Sequence, residues 1–281
     1  MGENAEALGQ RLAQARRAAG LTQQELCHKA GLSYSTLAKI ERGAIKAPSV
    51  FTVTSIATAT GTTVESLLGM ATPQSAGNKK TSKTGIKFIY FDLNGTLVRG
   101  YAKAFPMIAK LSGMPMDTVE ATFWRYDDEV CSGQISMDDY NRSVGQKLGL
   151  SDFDWTDYYL DSVEPVEGIK ELIDWTASHY EIGLLSGTMP GLIDGLDKAG
   201  KLPLDKFSQV VDSSEVKMLK TSPKIYELAL AKAGYAPEQT LLVDDDKIAI
   251  VLADKAGWQI SRFNSYEPKE SIARVKKHLE F

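Results

Sequence analysis

Three short polar stretches and one lysine carry the side chains best suited to chemistry. Asp92-Leu93-Asn94-Gly95-Thr96-Leu97 sets a carboxylate, an amide and a hydroxyl directly after an apolar run at 86–91. Ser186-Gly187 follows a second such run at 181–185, and Asp244-Asp245 follows a third at 240–243. Lys220 lies between the last two, in Lys217-Met218-Leu219-Lys220-Thr221-Ser222-Pro223. Carboxylate and amide oxygens suit a hard cation, whereas a lysine and hydroxyls suit the oxygens of an anion. A separate constellation stands near the N-terminus: Thr22-Gln23-Gln24-Glu25-Leu26, Ala30-Gly31-Leu32-Ser33 and Leu37-Ala38-Lys39-Ile40-Glu41-Arg42-Gly43. Its amide, hydroxyl and lysine side chains are of the types that touch phosphates and base edges in nucleic acid.

The elements that must position these residues follow from periodicity. Each apolar run reads as a buried parallel strand that delivers a polar residue at its C-terminal edge. Helical patterns at 168–178, 189–199 and 223–233 separate the strands. The result is an α/β doubly wound sheet, in which ligands bind beyond the carboxyl ends of the strands. Residues 99–164 interrupt the first crossover with helical sequence rich in Met and Trp, expected as an inserted α-helical cap. Trp124, Trp155, Tyr126, Tyr158 and Tyr159 fall in that cap, where they either line a substrate pocket or, as is commoner for aromatics, pack its core. Residues 1–69 are helical throughout. Thr22 caps one helix with Glu25 as its capping-box partner, Gly31 ends it, Ser33 caps the next, and five short helices form a compact all-α domain. Between the two parts, 70–85 is rich in Ser, Thr, Lys, Gly and Pro and reads as a flexible linker before a domain at 86–281.

With 281 residues, 43% hydrophobic and 24% charged, the chain has material for about two packed domains. The net charge of -4 conceals an asymmetry. Residues 1–85 hold ten Lys/Arg against five acids, and the remainder is acidic, so a polyanion is expected at the N-terminal part. Cys27 and Cys131 are too few and too far apart for a disulfide framework and read as reduced, packed thiols. No stretch approaches the roughly 18 apolar residues of a membrane span, and the first residues lack the pattern of a secretory signal. The expected location is cytoplasmic. His28, His179 and His278 are scattered without metal-ligand spacing and read as structural or surface residues.

The N-terminal constellation sits at helix-turn-helix spacing and resembles the Cro/phage-repressor-type (XRE) DNA-binding family over 8–69. The resemblance implies a double-stranded DNA operator as partner, with Gln23 on a phosphate and Tyr34, Ser35, Thr36 and Lys39 facing the major groove. Glu41 and Arg42 would supply the fold's internal ion pair and backbone contacts. Such domains normally read two half-sites as a homodimer. The second constellation resembles the haloacid dehalogenase (HAD) superfamily over 86–265. Its first motif is usually Asp-x-Asp-Gly-Thr, and the other three motifs follow in order. What this implies is an aspartyl-phosphate chemistry: Asp92 as nucleophile, Mg²⁺ held by Asp92, Asn94 through its main chain, Asp244 and Asp245, and phosphate cradled by Thr96, Ser186, Gly187 and Lys220.

The departure is Asn94. In the family's phosphatases an aspartate here protonates the leaving group and then activates water, and an amide does neither. The sequence therefore leaves open whether the domain is an enzyme. The expectation is a sequence-specific DNA-binding transcription regulator whose HAD-like domain senses a small phosphorylated ligand or has weakened phosphotransfer. The alternatives are an active Mg²⁺-dependent phosphatase with an accessory DNA-binding domain, and a protein-interaction module using both parts as scaffolds.

Overall fold

The computed structural model describes residues 3–60, 62, 64–68 and 79–281. The chain divides into two compact units, 1–75 and 76–281. The described residues of the first unit form α1 (Glu3–Ala18), α2 (Gln23–Ala30), α3 (Tyr34–Glu41), α4 (Val50–Thr60) and α5 (Val64–Leu68). Thr22 and Glu25 make both bonds of the capping box, and Gly31 ends α2 in the left-handed conformation. Ser33 caps α3 by accepting from the Thr36 N–H. Leu12, Leu26, Leu37, Ile40, Val53 and Ile56 from four helices meet in one buried core. Helix α1 crosses the end of α3 closely at Gly9, where a Cβ would lie 2.5 Å from the Ile40 carbonyl oxygen.

The second unit is built on a five-stranded, all-parallel sheet. Its strands are β1 (Phe88–Phe91), β4 (Glu181–Ser186), β5 (Gln209–Asp212), β6 (Thr240–Asp244) and β7 (Gln259–Arg262), in spatial order β5-β4-β1-β6-β7. The three runs read from the sequence are the three central strands, buried throughout β1 and β6. The sequence reading lacked β5 and β7. Both are edge strands with half-buried, polar-interrupted sequences, so neither shows the continuous apolar run of a central strand. Helices α11 (Ile169–His179), α12 (Leu192–Lys198), α13 (Ser213–Val216), α14 (Pro223–Ala233), α15 (Lys247–Lys255) and α16 (Pro268–His278) flank the sheet.

The insertion forms α6 (Ala104–Ser112), α7 (Met116–Arg125), α8 (Asp127–Cys131), α9 (Met137–Leu148) and α10 (Trp155–Ser162). A two-residue antiparallel pair, β2 (Val98–Arg99) with β3 (Glu164–Pro165), closes its base. Part of the segment read as linker is fixed to the second unit. The Lys80 N–H donates to the His179 carbonyl at 2.6 Å and the Lys83 N–H to the Glu280 carbonyl at 2.7 Å, while Ser82 is buried. These bonds leave residues 79–85 no linker freedom, and 70–78 lie outside the described residues. Cys27 and Cys131 are both buried, free thiols. Among the described residues, no helix is long and apolar enough to cross a membrane.

Candidate active site

Parallel pairing in register puts the ends of β1, β4 and β6 at one edge, with Phe91 opposite both Leu184 and Val243. Asp92 leaves β1 there, its N–H donating to the Val243 carbonyl at 2.9 Å. Asp244 ends the neighbouring strand, and its Oδ1 accepts from the Asp246 N–H at 2.9 Å. Lys220 arrives on the loop between α13 and α14, which Tyr226 anchors by donating its hydroxyl to the Lys220 carbonyl at 3.0 Å. The Lys220 ammonium bridges Asp92 Oδ1 and Asp244 Oδ2, the latter at 2.6 Å. Burial raises the Asp92 carboxyl above its ordinary range; Lys220 opposes this, and the Asp244 and Asp245 charges add to it. The same two carboxylates hold Lys220 firmly protonated, outweighing the opposite effect of its burial.

The site can hold a cation. Asp92, Asp244 and Asp245 each offer a carboxylate oxygen, and these oxygens lie within 4.8 Å of one another. Asp92 Oδ2 is buried with no protein hydrogen-bond partner, as a ligating oxygen would be before its ion arrives. Asp245 is pushed up to about 6, by burial first and then by Asp244. Its carboxylate fits only because position 95 is glycine. Gly95 has φ +92°, and a Cβ there would sit 2.2 Å from Asp245 Oδ2. The loop bearing Gly95 is held by main-chain bonds, Gly95 N–H to Val98 carbonyl at 2.7 Å and Leu97 N–H to Leu93 carbonyl at 2.9 Å.

Each residue expected at this site therefore gathers at one strand edge, with differences in role. Gly187 lines the Asp92 pocket beside Lys220, while Ser186 is buried at the strand end with its Oγ unpartnered in the protein. Thr96 is fully enclosed, and its hydroxyl bonds no protein group, so it does not tie the loop through its side chain. Asn94 Oδ1 accepts a hydrogen bond from the Tyr159 hydroxyl at 2.7 Å. Tyr159 comes from the cap, 65 residues away, and sequence spacing gave no sign of this contact. Beside the Asp92 pocket, of about 230 Å³, the cap covers a second pocket that shares Asn94, Asp127, Cys131 and Gly187 with it. Trp124, Trp155 and Tyr159 line this second pocket, whereas Tyr126 and Tyr158 pack against the core.

On the first unit, Tyr34, Ser35 and Lys39 are exposed and Thr36 half-buried along one side of α3. The Gln23 amide, expected on a phosphate, donates one hydrogen bond to Glu41 Oε2 at 2.7 Å within the domain. Glu41 forms the internal ion pair with Arg16, not Arg42, at 2.7 and 3.1 Å, and Arg42 bonds the Ala38 carbonyl. Burial alone would raise the Glu41 carboxyl, yet the hydrogen bonds from Arg16 and Gln23 outweigh it and hold it below its usual range.

Residues 12–67 match the family described as helix-turn-helix, and 86–253 match the haloacid dehalogenase-like hydrolases. The chain belongs to the haloacid dehalogenase-like hydrolase family. Solved HAD structures share its fold. A predicted HAD-like family hydrolase from Porphyromonas gingivalis aligns with TM-score 0.58 and 22% identity, over 68% of this chain and 98% of that one. A HAD family enzyme from Bacteroides thetaiotaomicron, in complex with magnesium and inorganic phosphate, aligns with TM-score 0.52 and 20% identity over 65% and 96%. An L-2-haloacid dehalogenase from Xanthobacter autotrophicus, with chloropropionic acid covalently bound, aligns with TM-score 0.50 and 17% identity over 70% and 85%. No curated protein matches in sequence. The chain is thus a helix-turn-helix unit fused to a capped HAD-like hydrolase unit.

Proposed function

We propose that this HAD-family chain is a sequence-specific DNA-binding transcription regulator whose hydrolase unit accepts a phosphoryl group on Asp92 and releases it slowly. The observation that carries the reading is Asn94, an amide standing in a pocket that otherwise keeps the nucleophile, the acidic cluster and the lysine. Asp92, Asp244, Asp245 and the main chain at Asn94 would hold Mg²⁺, which would neutralise phosphoryl charge when bound. In the forward step an Asp92 carboxylate oxygen attacks phosphorus, and the bond from phosphorus to the leaving oxygen breaks with its electron pair on that oxygen. Lys220 sits where it offsets the charge of the phosphoryl oxygens. An alkoxide leaving group needs a proton at that moment, and the amide of Asn94 has no acidic one to give. A carboxylate leaving group needs none, so an acyl phosphate remains a competent donor. Water then meets no carboxylate at position 94 to take its proton, and the aspartyl-phosphate persists.

On the first unit, Tyr34, Ser35, Thr36 and Lys39 supply the groove-facing surface. With Gln23 engaged by Glu41, its phosphate contact would fall to its main chain at the start of α2. Residues 1–69 carry seven basic and five acidic side chains, too small an excess for strong monomer binding, so two copies would share an operator as a dimer. A working phosphatase is the second reading, favoured by the intact acidic cluster. The two are separated by incubating the full chain with Mg²⁺ and acetyl phosphate and measuring its mass. The regulator reading expects one stable phosphoryl group, absent from Asp92→Asn. Rapid consumption of phosphomonoesters with no adduct overturns it.

A further inference from the structure

The second pocket beneath the cap is small, about 130 Å³, well under the roughly 300–1,000 Å³ of sites for drug-sized ligands. Its wall is dominated by five rings, those of Tyr101, Phe123, Trp124, Trp155 and Tyr159. They are set at angles rather than stacked as a slot: Tyr101 and Trp124 stand at 81°, Phe123 and Trp124 at 89°, Trp155 and Tyr159 at 49°. Ring faces held at such angles enclose a rounded group better than a flat one. One carboxylate, Asp127 at the first turn of α8, stands between this pocket and the Asp92 pocket.

Asp127 has no cation of its own among the described residues. Its weak contact is the Cys131 thiol at 3.6 Å, and its nearest charged neighbour is Asp128, another acid. Lys220, across the Asp92 pocket, is held by Asp92 and Asp244. Asp127 and the five rings line the same pocket. A half-buried carboxylate against aromatic walls costs desolvation unless a cation completes it.

We infer that the cap pocket is a cation cage that receives the leaving-group end of the substrate, and that its occupant is a methylated ammonium group. The substrate class is the acyl phosphate of a small quaternary amino acid, a mixed anhydride whose carboxylate leaving group needs no proton from position 94. This rests on the phosphotransfer reading of the Asp92 pocket. Three alternatives fit less well. A neutral apolar group would bury Asp127 without a counter-charge. A sugar would need more polar partners than Asn94, Asp127, Thr188 and two tyrosine hydroxyls supply in so small a pocket. A primary ammonium carries three N–H donors that each need an acceptor, and beside Asp127 the wall supplies few, the Thr188 hydroxyl among them. A quaternary nitrogen has no N–H to satisfy, and its diffuse charge interacts well with ring faces and a nearby carboxylate.

The test uses the full chain and the intrinsic fluorescence of Trp124 and Trp155, with choline and its neutral isostere 3,3-dimethyl-1-butanol as probes. Choline is expected to bind at least about tenfold more tightly than the isostere, and more tightly than ethanolamine. Asp127→Asn and Trp124→Ala should each remove most of that difference, with circular dichroism showing that both variants fold; Trp124 is half exposed, so its truncation leaves the cap core intact. Equal binding of choline and the isostere overturns the inference. Inorganic phosphate with Mg²⁺, and the Asp92 adduct, are measured on the same preparation to separate the two claims. Adduct formation without choline preference sinks the cage and leaves the phosphotransfer reading standing. Choline preference without an adduct supports the cage and sinks that reading.

Discussion

Asn94 and aspartate have nearly the same shape, yet only the acid exchanges protons near neutral pH. Tyr159 donates to Asn94 Oδ1, which turns the amide NH₂ toward the remaining space, so Asn94 can orient a leaving oxygen but cannot protonate it. Restoring the acid in Asn94→Asp should raise phosphomonoester turnover by about 10²–10⁴-fold. Steady-state rates on p-nitrophenyl phosphate and on a simple alkyl phosphate check this, with the larger gain on the alkyl ester, whose leaving group needs the proton more. Unchanged rates would mean that something other than the missing acid limits the pocket. Gly95 is the second decisive position. Gly95→Ala forces a side chain into the left-handed region, at about 1–2 kcal/mol, and drives its Cβ into the Asp245 carboxylate. Thermal unfolding should show the loss of stability, and calorimetry should show weaker Mg²⁺ binding.

At the scale of elements, the first unit depends on the crossing of α1 and α3. Gly9 allows the close approach, and the Arg16–Glu41 pair seals it with side chains only 11% and 6% exposed. Removing one partner of such a pair leaves a buried charge, so Arg16→Ala should cost about 3–5 kcal/mol. The pair also fixes an acid sensitivity. The folded Glu41 carboxyl is held below its ordinary value of 4.5. Its contribution is therefore complete above that pH and is lost as pH falls through the lower folded-state value. Chemical denaturation of the wild type across acid pH should show this decline, and Glu41→Gln should flatten it. Neither the Arg16 pairing nor the role of Gln23 was legible in sequence, because both come from contacts 25 and 18 residues apart. The caps at Thr22, Ser33 and Gly31 were legible, since capping is a local code. The same division holds in the second unit. Asp92 and Asp244 could be found because buried central strands announce their ends, whereas Lys220, on a loop, was legible only through the family resemblance. Tyr159 was one of five cap aromatics that could line a pocket, but its bond to Asn94, 65 residues away, and the place of Asp127 beside the site were not legible, because the cap brings both in from a distant segment.

For the whole molecule, the proposed function joins a reader of DNA to a phosphoryl-accepting pocket in one chain. The first unit carries a small basic excess and the second an acidic one, a balance that would favour a polyanion at the first. A regulator of this kind needs the state of Asp92 to change the affinity for DNA, and such coupling ordinarily amounts to about 5–150-fold. The direct measurement is operator affinity of the full chain, on a sequence selected from random DNA, before and after treatment with Mg²⁺ and acetyl phosphate. A change of at least about fivefold is expected for the wild type and none for Asp92→Asn, at one fixed salt concentration. Identical affinities for untreated and fully phosphorylated wild type would contradict it.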